Sequence, residues 1–361
     1  MNTKYIDFFL GANTSKGFVS RYDQISENDN LKKIYVIKGG PGTGKSSIMK
    51  RIGERCKKGI IERIHCSSDP DSLDCIIDEE RGFAILDGTP PHPMEPKFPG
   101  ALETLVNLYP CWNEKALERK LDEIKALVEK YTECHKKACG YISLMSALLK
   151  DNMRVAKECT NFSKIDRYVS GLTKREFARA KEETDREKVR FFSAVTPKGV
   201  KFYNITIESL CDRVYIIEDD IGVASDYILK AIRKEAKSRK LEVISGYCVT
   251  DPFEKLEHII IPQLKLAFLT SNKFHKISLP IPQKRVKASR FTDLSRLNER
   301  KQYLSFNKKA ANSFLREAVK QMQTAKRYHD DLESIYISSV DFKKVNKLSE
   351  SLASKVKKDE P

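Results

Sequence analysis

Short apolar runs rich in β-branched residues recur in the first third of the chain. Such runs occupy residues 34–37 (IYVI), 60–64 and 83–86, and runs of this length between turn-forming residues predict buried strands. Between the first two runs, Ile48 and Ile52 have the spacing of one face of a helix. We therefore predict a parallel sheet with helices packed against it, which is an α/β fold.

Beyond Trp112 the pattern changes to charged segments in which apolar residues recur with the helical period. This pattern continues to about residue 190 and returns from about residue 295 to the end of the chain. Apolar positions at this spacing, separated by lysine and glutamate, are typical of amphipathic helices. The sequence therefore predicts two helical arms.

The chain also repeats itself. The matching segments are 9–18 (FLGANTSKGF) with 191–200 (FFSAVTPKGV), 34–37 with 214–217, Asp69-Pro70 with Asp251-Pro252, 84–86 with 267–269, and 141–143 with 336–338. These matches keep the same order along the chain, and partners stay between 180 and 195 residues apart. Such an ordered series indicates a tandem duplication.

Charge is distributed unevenly between the two parts of the chain. Residues 1–110 contain 15 basic and 15 acidic side chains, so the net charge of +16 lies in the remainder. In that remainder lysines alternate with glutamates along helical stretches, which favours solvated helix faces over a nucleic-acid surface. The basic arms leave a protein or polyanion partner open, with nucleic acid as the weaker alternative.

Cysteine spacing and hydropathy exclude several classes of protein. The nine cysteines include no Cys-x-x-Cys pair and no Cys/His cluster at ligand spacing, so neither a disulfide scaffold nor a zinc site is indicated. No apolar stretch reaches the length of a membrane-spanning helix. The N-terminal residues lack the pattern of a secretory signal. We therefore expect a cytoplasmic protein with no membrane partner.

The strongest chemical motif is GGPGTGKS at residues 39–46, which has the form G-x-x-x-x-G-K-[ST] between a predicted strand and a predicted helix. Its glycines allow backbone amides to surround phosphate oxygens at a helix N-terminus. In such a P-loop, Lys45 reaches the β- and γ-phosphates and the Ser46 hydroxyl binds Mg²⁺. The predicted nucleotide-binding residues are Gly39, Gly40, Pro41, Gly42, Thr43, Gly44, Lys45, Ser46 and Ser47.

Asp87 follows the apolar run 83–86 and is the second part of the predicted site. A carboxylate at the end of a strand beside a P-loop commonly holds Mg²⁺ directly or through water. We therefore predict Ser46 and Asp87 as metal ligands, and Lys45 and Asp87 as catalytic residues. The next residue is Gly88 rather than glutamate, which leaves the base that would activate water unassigned.

The segment CSSDPDSLD at residues 66–74 supplies further carboxylates in what we interpret as a loop after the second strand. Asp69 survives in the second copy as Asp251, which suggests a structural role. Asp74 does not survive, so it is the better catalytic candidate of the two. His65 and His92 flank this region, and we interpret both as structural.

The second copy loses the phosphate ligands. At a constant offset, Ser225 replaces Lys45 and Asp226 replaces Ser46, while Thr270 matches Asp87. Acidic residues in the altered loop would repel a polyphosphate. We therefore expect the second copy to bind no nucleotide.

Taken together, GGPGTGKSS (39–47), HCSSDPDSLD (65–74) and AILDGTPPH (84–92) resemble a family of little-characterised bacterial tandem P-loop ATPases. The resemblance covers nearly the whole chain and implies two P-loop modules, MgATP binding and a cytoplasmic location. Members often carry a working P-loop in both halves, and this chain departs from that pattern. The predicted segments are an active P-loop domain (1–111), a helical arm (112–190), a degenerate P-loop-like domain (191–294), and a helical arm with a basic tail (295–361).

Three functions are compatible with these residues. The first is an ATPase whose nucleotide state moves the helical arms against a partner. The second is a small-molecule or nucleotide kinase, because GFAILDGTP (82–90) is similar to a segment of adenylate-type kinases, although Pro91 and His92 stand where those enzymes have an arginine. The third is an ATP-dependent nucleic-acid-binding protein, motivated by the basic excess alone.

Overall fold

The structure, a computed structural model, describes residues 3–89, 95–179 and 184–358. The strands of the first repeat are β1 (Lys4–Phe8), β2 (Gly11–Thr14), β3 (Gly17–Ser20), β4 (Lys33–Lys38), β5 (Ile60–His65), β6 (Leu73–Asp78), β7 (Phe83–Asp87) and β8 (Glu103–Asn107). Its helices are α1 (Asp23–Ser26) and α2 (Lys45–Arg55), and the first arm contains α3 (Glu114–Glu118), α4 (Leu121–Lys157) and α5 (Phe162–Glu176).

The second repeat contains the same kinds of elements. Its strands are β9 (Glu187–Arg190), β10 (Ser193–Thr196), β11 (Gly199–Phe202), β12 (Arg213–Glu218), β13 (Val243–Cys248), β14 (Asp251–Ile261), β15 (Leu266–Ser271) and β16 (Gln283–Lys287). Its helices are α6 (Asn204–Leu210) and α7 (Val223–Ser238), and the second arm contains α8 (Leu294–Glu299), α9 (Lys301–Ile337) and α10 (Phe342–Lys358). None of the helices in the described residues is long and apolar enough to cross a membrane.

Each repeat is built on a six-stranded mixed sheet, which confirms the α/β class. The first sheet has the order β1-β5-β6-β7-β4-β8, and the second has β9-β13-β14-β15-β12-β16. The two orders correspond strand by strand, as a duplicated unit requires. The prediction of fully parallel sheets is wrong, because β6 and β14 run antiparallel to both of their neighbours.

The two repeats contact each other through residues that match in the duplication. Phe9 and Phe191, which match in the sequence alignment of the copies, exchange both backbone hydrogen bonds at 2.9 Å. One face of each sheet lies in a single continuous apolar core, in which Ile34 of β4 and Ile216 of β12 are both fully buried. A buried ion pair between Arg190 and Glu62 also joins the repeats. The duplicated units therefore share one core.

The arms are exchanged between the repeats. The long helices α4 and α9 pack against each other along their length. Ile165 and Val169 of α5, in the first arm, are buried against the outer face of the second sheet. Val345 and Leu352 of α10, in the second arm, are buried against the outer face of the first sheet. Each arm thus completes the core of the other repeat.

Candidate functional site

The glycine-rich loop, residues 39–44, connects the buried strand β4 to helix α2 at the carboxyl edge of the first sheet. Gly44 is the N-cap of α2 and has a φ of +81°, a conformation that residues with a Cβ rarely adopt. Ile48, Met49 and Ile52 anchor the helix to the sheet and are almost fully buried. The first turn of α2 is therefore held where its free backbone amides face the loop.

Lys45 bends back over this loop. Its ammonium group donates to the carbonyl of Gly39 at 2.6 Å and to that of Gly40 at 2.8 Å. The same Nζ lies 3.4 Å from Oδ2 of Asp87. The predicted catalytic pair is thus brought together, with only 11% and 15% of the two side chains exposed.

The other predicted ligands of the loop differ in their surroundings. Ser46 Oγ accepts a hydrogen bond of 2.9 Å from the backbone amide of Leu73, which ties α2 to β6. Thr43 is buried, and its hydroxyl donates to the Gly40 carbonyl at 2.8 Å. Ser47 is exposed on the first turn of α2. Ser46 therefore lies on the sheet side of the helix, and Ser47 faces away from it.

Asp87 is the last residue of β7, which is the strand next to β4. Its Oδ1 accepts a hydrogen bond of 2.9 Å from the Thr89 amide, which leaves Oδ2 directed to Lys45. The residue after it must be small, because a Cβ at Gly88 would lie 2.3 Å from Cγ1 of Val36. The same packing excludes a glutamate at position 88.

The acidic segment is not wholly a loop. Asp74 lies on β6 and is buried, so the interpretation of this residue as part of a loop is wrong: the sequence pattern hid a strand between β5 and β7. Asp69 accepts a hydrogen bond from Ser72 Oγ at 3.0 Å within the turn, in keeping with a structural role. Asp71 is exposed and pairs with Lys198 of the second repeat.

His65 is held by contacts within the fold, in keeping with a structural role. Its Nε2 lies 3.0 Å from Oδ1 of Asp7, and its Nδ1 lies 3.0 Å from the Pro70 carbonyl. Asp7 is also held by two hydrogen bonds from Arg63, and despite burial these partners lower the pKa of Asp7. His92, the other flanking histidine, lies outside the described residues.

Helix α9 of the second arm covers the glycine-rich loop. Oε1 of Glu333 accepts a hydrogen bond of 3.1 Å from the Gly42 amide. Gly42 has a φ of +69°, and a Cβ there would lie 2.7 Å from Ile337. The Glu333 carboxylate thus accepts from a backbone amide of the kind that donates to phosphate oxygens in such loops.

Aromatic side chains form a second contact with the loop. The ring of Trp112 lies against Gly40, and its centroid lies 4.7 Å from that of Tyr109 and 5.6 Å from that of Tyr336. Tyr336 belongs to α9, so the aromatic group also joins the loop to the second arm. Because the chain has a single tryptophan, the fluorescence of Trp112 reports on this site.

The equivalent loop of the second repeat is filled by its own side chain. The Asp219 carboxylate accepts hydrogen bonds from the amides of Ile221 (3.0 Å), Gly222 (2.8 Å) and Ser225 (2.9 Å). Asp219 is buried, and Gly222 is the N-cap of α7 with a φ of +97°. The Asp219 carboxylate therefore already binds the backbone amides that an external anion would need.

The pairing of Ser46 with Asp226 across the repeats has a structural basis. Oδ1 of Asp226 accepts a hydrogen bond of 2.9 Å from the amide of Leu256 on β14, just as Ser46 accepts one from Leu73 on β6. Thr270, the counterpart of Asp87, is buried on β15. The scaffold of the site is thus retained while its charges are changed.

No family model matches this chain, and neither a curated protein nor a solved structure matches it significantly.

Three residues of the site could not be identified from local sequence. Glu333 and Tyr336 lie on a charged helix nearly 300 positions after the loop that they contact. Trp112 lies just after β8. Its only distinguishing feature in the sequence is that it is the single tryptophan. The placement of Glu333 and Tyr336 depends on the exchange of arms, which no motif indicates.

Proposed function

We propose that this protein is an ATPase of the tandem P-loop kind that binds one MgATP in its first repeat and none in its second. The observation that carries the proposal is the meeting of Lys45, Asp87 and the start of α2 at one edge of the sheet. A lysine, a carboxylate and a helix N-terminus are the groups that recognise a polyphosphate with its magnesium ion.

The residues present fit a magnesium ion beside the phosphates. Ser46 Oγ and the Asp87 carboxylate are hard oxygen donors, which Mg²⁺ prefers. When bound, the ion would neutralise charge on the phosphates. Lys45 would exchange the Gly39 and Gly40 carbonyls for phosphate oxygens and stabilise the negative charge that develops during transfer.

The contact between Glu333 and Gly42 supports coupling of nucleotide to the arms. A phosphate oxygen that accepts from the Gly42 amide would displace the Glu333 carboxylate, and the two negative charges would repel each other. Glu333 and Tyr336 lie on α9, which packs along α4. Occupation of the first repeat would therefore shift α9, and with it the pair of long helices.

A kinase is the second candidate, and the packing at Gly88 favours it. Because a side chain at this position would collide with Val36, no water-activating carboxylate can follow Asp87. A kinase needs no such base, since the attacking hydroxyl comes from its substrate. The segment from Pro90 to Met94, which contains the proline and histidine that differ from adenylate-type kinases, lies outside the described residues.

The deciding experiment measures phosphate release from ATP by the full chain. We expect slow release in buffer alone, because position 88 carries no base. Transfer of the γ-phosphate to a compound in a small-molecule pool would decide for the kinase. Stimulation by RNA or DNA that falls with added salt would favour the nucleic-acid-dependent function.

Stoichiometry tests the two-repeat assignment. Calorimetric titration with MgATP should give a ratio near one per chain, because Asp219 fills the second loop. The whole chain is required, since a fragment that starts at residue 190 would lack α5, whose apolar face covers the second sheet. A ratio of two would contradict the proposal.

A further inference from the structure

The second repeat contains a buried group of three metal-ligand side chains, Glu257, His258 and His275. Glu257 and His258 lie on β14, and His275 lies on the segment after β15. Their ligand atoms all lie within 4.8 Å of one another. His258 and His275 lie far apart in the sequence, so no metal-binding spacing motif reveals this group.

A β-bulge explains how consecutive residues of one strand come together. His258 pairs with Gly246 of β13 and Leu256 pairs with Tyr247, so Glu257 is an extra residue in the ladder. Regular strands direct neighbouring side chains to opposite faces, and a bulge re-aims them. As a result, Oε2 of Glu257 lies 4.0 Å from Nε2 of His258.

His275 closes the group from the other side. Its Nδ1 lies 3.9 Å from Oε1 of Glu257, and its ring meets that of His258 edge-on at a centroid distance of 5.0 Å. Tetrahedral zinc with bonds of about 2.0–2.1 Å separates its ligand atoms by roughly 3.3 Å. Because the three ligand atoms lie within 4.8 Å of one another, each needs to move by less than about 1 Å to reach this spacing.

Three of the four imidazole nitrogens of this group have no hydrogen-bond partner in the protein. Nδ1 and Nε2 of His258 and Nε2 of His275 are buried without a hydrogen bond, and the two side chains are 1% and 7% exposed. Buried polar atoms are nearly always paired. Phe192 and Phe202 surround His258 at centroid distances of 5.2 and 5.3 Å, so the neighbours on that side are apolar.

The electrostatic state of the histidines suits a metal. Burial, together with the nearby His275 and Lys255, lowers the pKa of His258 well below its usual range. Burial also lowers the pKa of His275, although the charge of Glu257 opposes the shift. Burial disfavours the charged imidazolium, and the neutral imidazole is the form that binds a metal ion.

We propose that Glu257, His258 and His275 bind a divalent first-row transition ion, with Zn²⁺ as the best fit. Two imidazoles and one carboxylate suit such an ion better than Mg²⁺ or Ca²⁺, which prefer oxygen ligands. Three protein ligands leave a fourth tetrahedral position for water or another ligand. The ion would fix the segment of His275 to β14 in the repeat that binds no nucleotide.

A second group, His329, Asp330 and Glu333 on α9, is the matched control. Both of its carboxylates already have partners, because Glu333 accepts from Gly42 and Asp330 accepts from Lys326. It is also more open, since 28% of His329 and 49% of Asp330 are exposed. We therefore place the ion at the buried group and not on α9.

Cobalt titration of the full chain tests this site. After treatment with EDTA, and without nucleotide or magnesium, Co²⁺ should bind in a ratio near one per chain and give visible d–d absorption, which Zn²⁺ then abolishes. His275→Asn and Glu257→Gln should each weaken Co²⁺ binding by at least about 100-fold, since even loss of an outer-shell partner costs 10–100-fold. His329→Asn should leave the spectrum unchanged.

Several results would overturn the proposal. These are the absence of saturable visible absorption in the wild-type chain, an unchanged spectrum in both ligand variants, or loss of the spectrum in His329→Asn alone. Circular dichroism of each variant separates loss of the ion from loss of the fold. The wild-type titration decides the question even if a ligand variant fails to fold.

Discussion

The two repeats have the same strand order and opposite chemistry at the same loop. In the first repeat six residues, 39–44, join β4 to α2, whereas four residues, 219–222, join β12 to α7. The longer loop is followed by Lys45, whose ammonium group reaches the loop carbonyls, and the shorter one holds the Asp219 carboxylate on its amides. Apolar positions thus preserve a scaffold long after the ligands on it have changed.

The same comparison extends behind the loop. Asp74 and Cys75 of β6 correspond in the sheet to Glu257 and His258 of β14. The first repeat therefore has a carboxylate and a thiol where the second has a carboxylate and an imidazole. The interpretation that Asp74 does not survive in the second copy is thus wrong, because the strand pairing matches it with Glu257. The imidazole of the metal site proposed for the second repeat thus corresponds to the Cys75 thiol of the first, which is buried in the apolar core that the repeats share.

The largest effect should come from Lys45→Ala. Removal of the ammonium should lower ATP turnover by roughly 10²–10³-fold, since the loss of one such stabilising group costs about 2.7–4 kcal/mol. The matched change in the second repeat, Ser225→Ala, should leave turnover unchanged. Steady-state phosphate release from both variants measures the difference, and equal losses would break the contrast between the repeats.

Acid should lower the free energy of unfolding through His135, on α4 of the first arm. Burial and the nearby His329 lower the pKa of His135 to about 4. Between about pH 6.5 and pH 4 the unfolded chain therefore binds a proton that the folded chain does not, so stability falls as the pH falls. The contribution is at most about 3.4 kcal/mol at 1.36 kcal/mol for each pH unit.

Urea unfolding of the wild type and of His135→Gln at about pH 7 and about pH 4.5 measures this term. The variant should lose less free energy of unfolding between the two conditions than the wild type does. Other buried histidines shift the same way, so only the difference between the two chains is informative. Equal pH dependence in both would show that His135 titrates normally.

Asp219→Ala should destabilise the fold without affecting ATP binding. It removes the acceptor of three backbone hydrogen bonds in the second loop, which costs about 1–3 kcal/mol. Asp220→Ala is the control, because Asp220 is 43% exposed and forms surface ion pairs, which contribute about 0–1 kcal/mol. Weaker ATP binding in Asp219→Ala would mean that the second loop is part of a nucleotide site.

The smallest effect should come from Glu333→Gln. The amide keeps the size of the side chain but removes the negative charge beside Gly42, so MgATP should bind several-fold more tightly, which is about 1 kcal/mol. Trp112 fluorescence measures the affinity directly. Glu317→Gln, elsewhere on α9 and paired with Lys320, should not change the affinity for MgATP. The same affinity in both variants would show that Glu333 does not couple nucleotide binding to α9.

Local pattern was sufficient for much of the first sheet. Strands β4, β5 and β7 and the buried face of α2 all coincide with the predicted apolar runs. Strand β6 is not predicted, because its first residues, Leu73 and Asp74, continue a turn-forming segment. Its antiparallel pairing with both neighbours also departs from the parallel sheet that the apolar runs indicate. Asp87 was placed correctly at a strand end, since a charged residue directly after an apolar run is a local signal.

The contacts between distant segments could not be predicted in this way. Glu333 contacts Gly42 only because the second arm crosses to the first repeat, and helical periodicity does not say which surface a helix covers. The same limit applies to α5 and α10, whose apolar faces are visible in the sequence while their destinations are not. The group around His258 depends on a bulge that changes the direction of one side chain.

The exchange of α5 and α10 sets the order in which the chain can mature during synthesis. The first sheet ends with β8 at Asn107, but α10, which covers its outer face, begins only at Phe342. At about 5–20 residues per second, that helix emerges roughly 10–50 s after the sheet it completes. The first repeat must therefore wait with an apolar face uncovered, so a chain that stops before α10 would expose this face to chaperones and proteases.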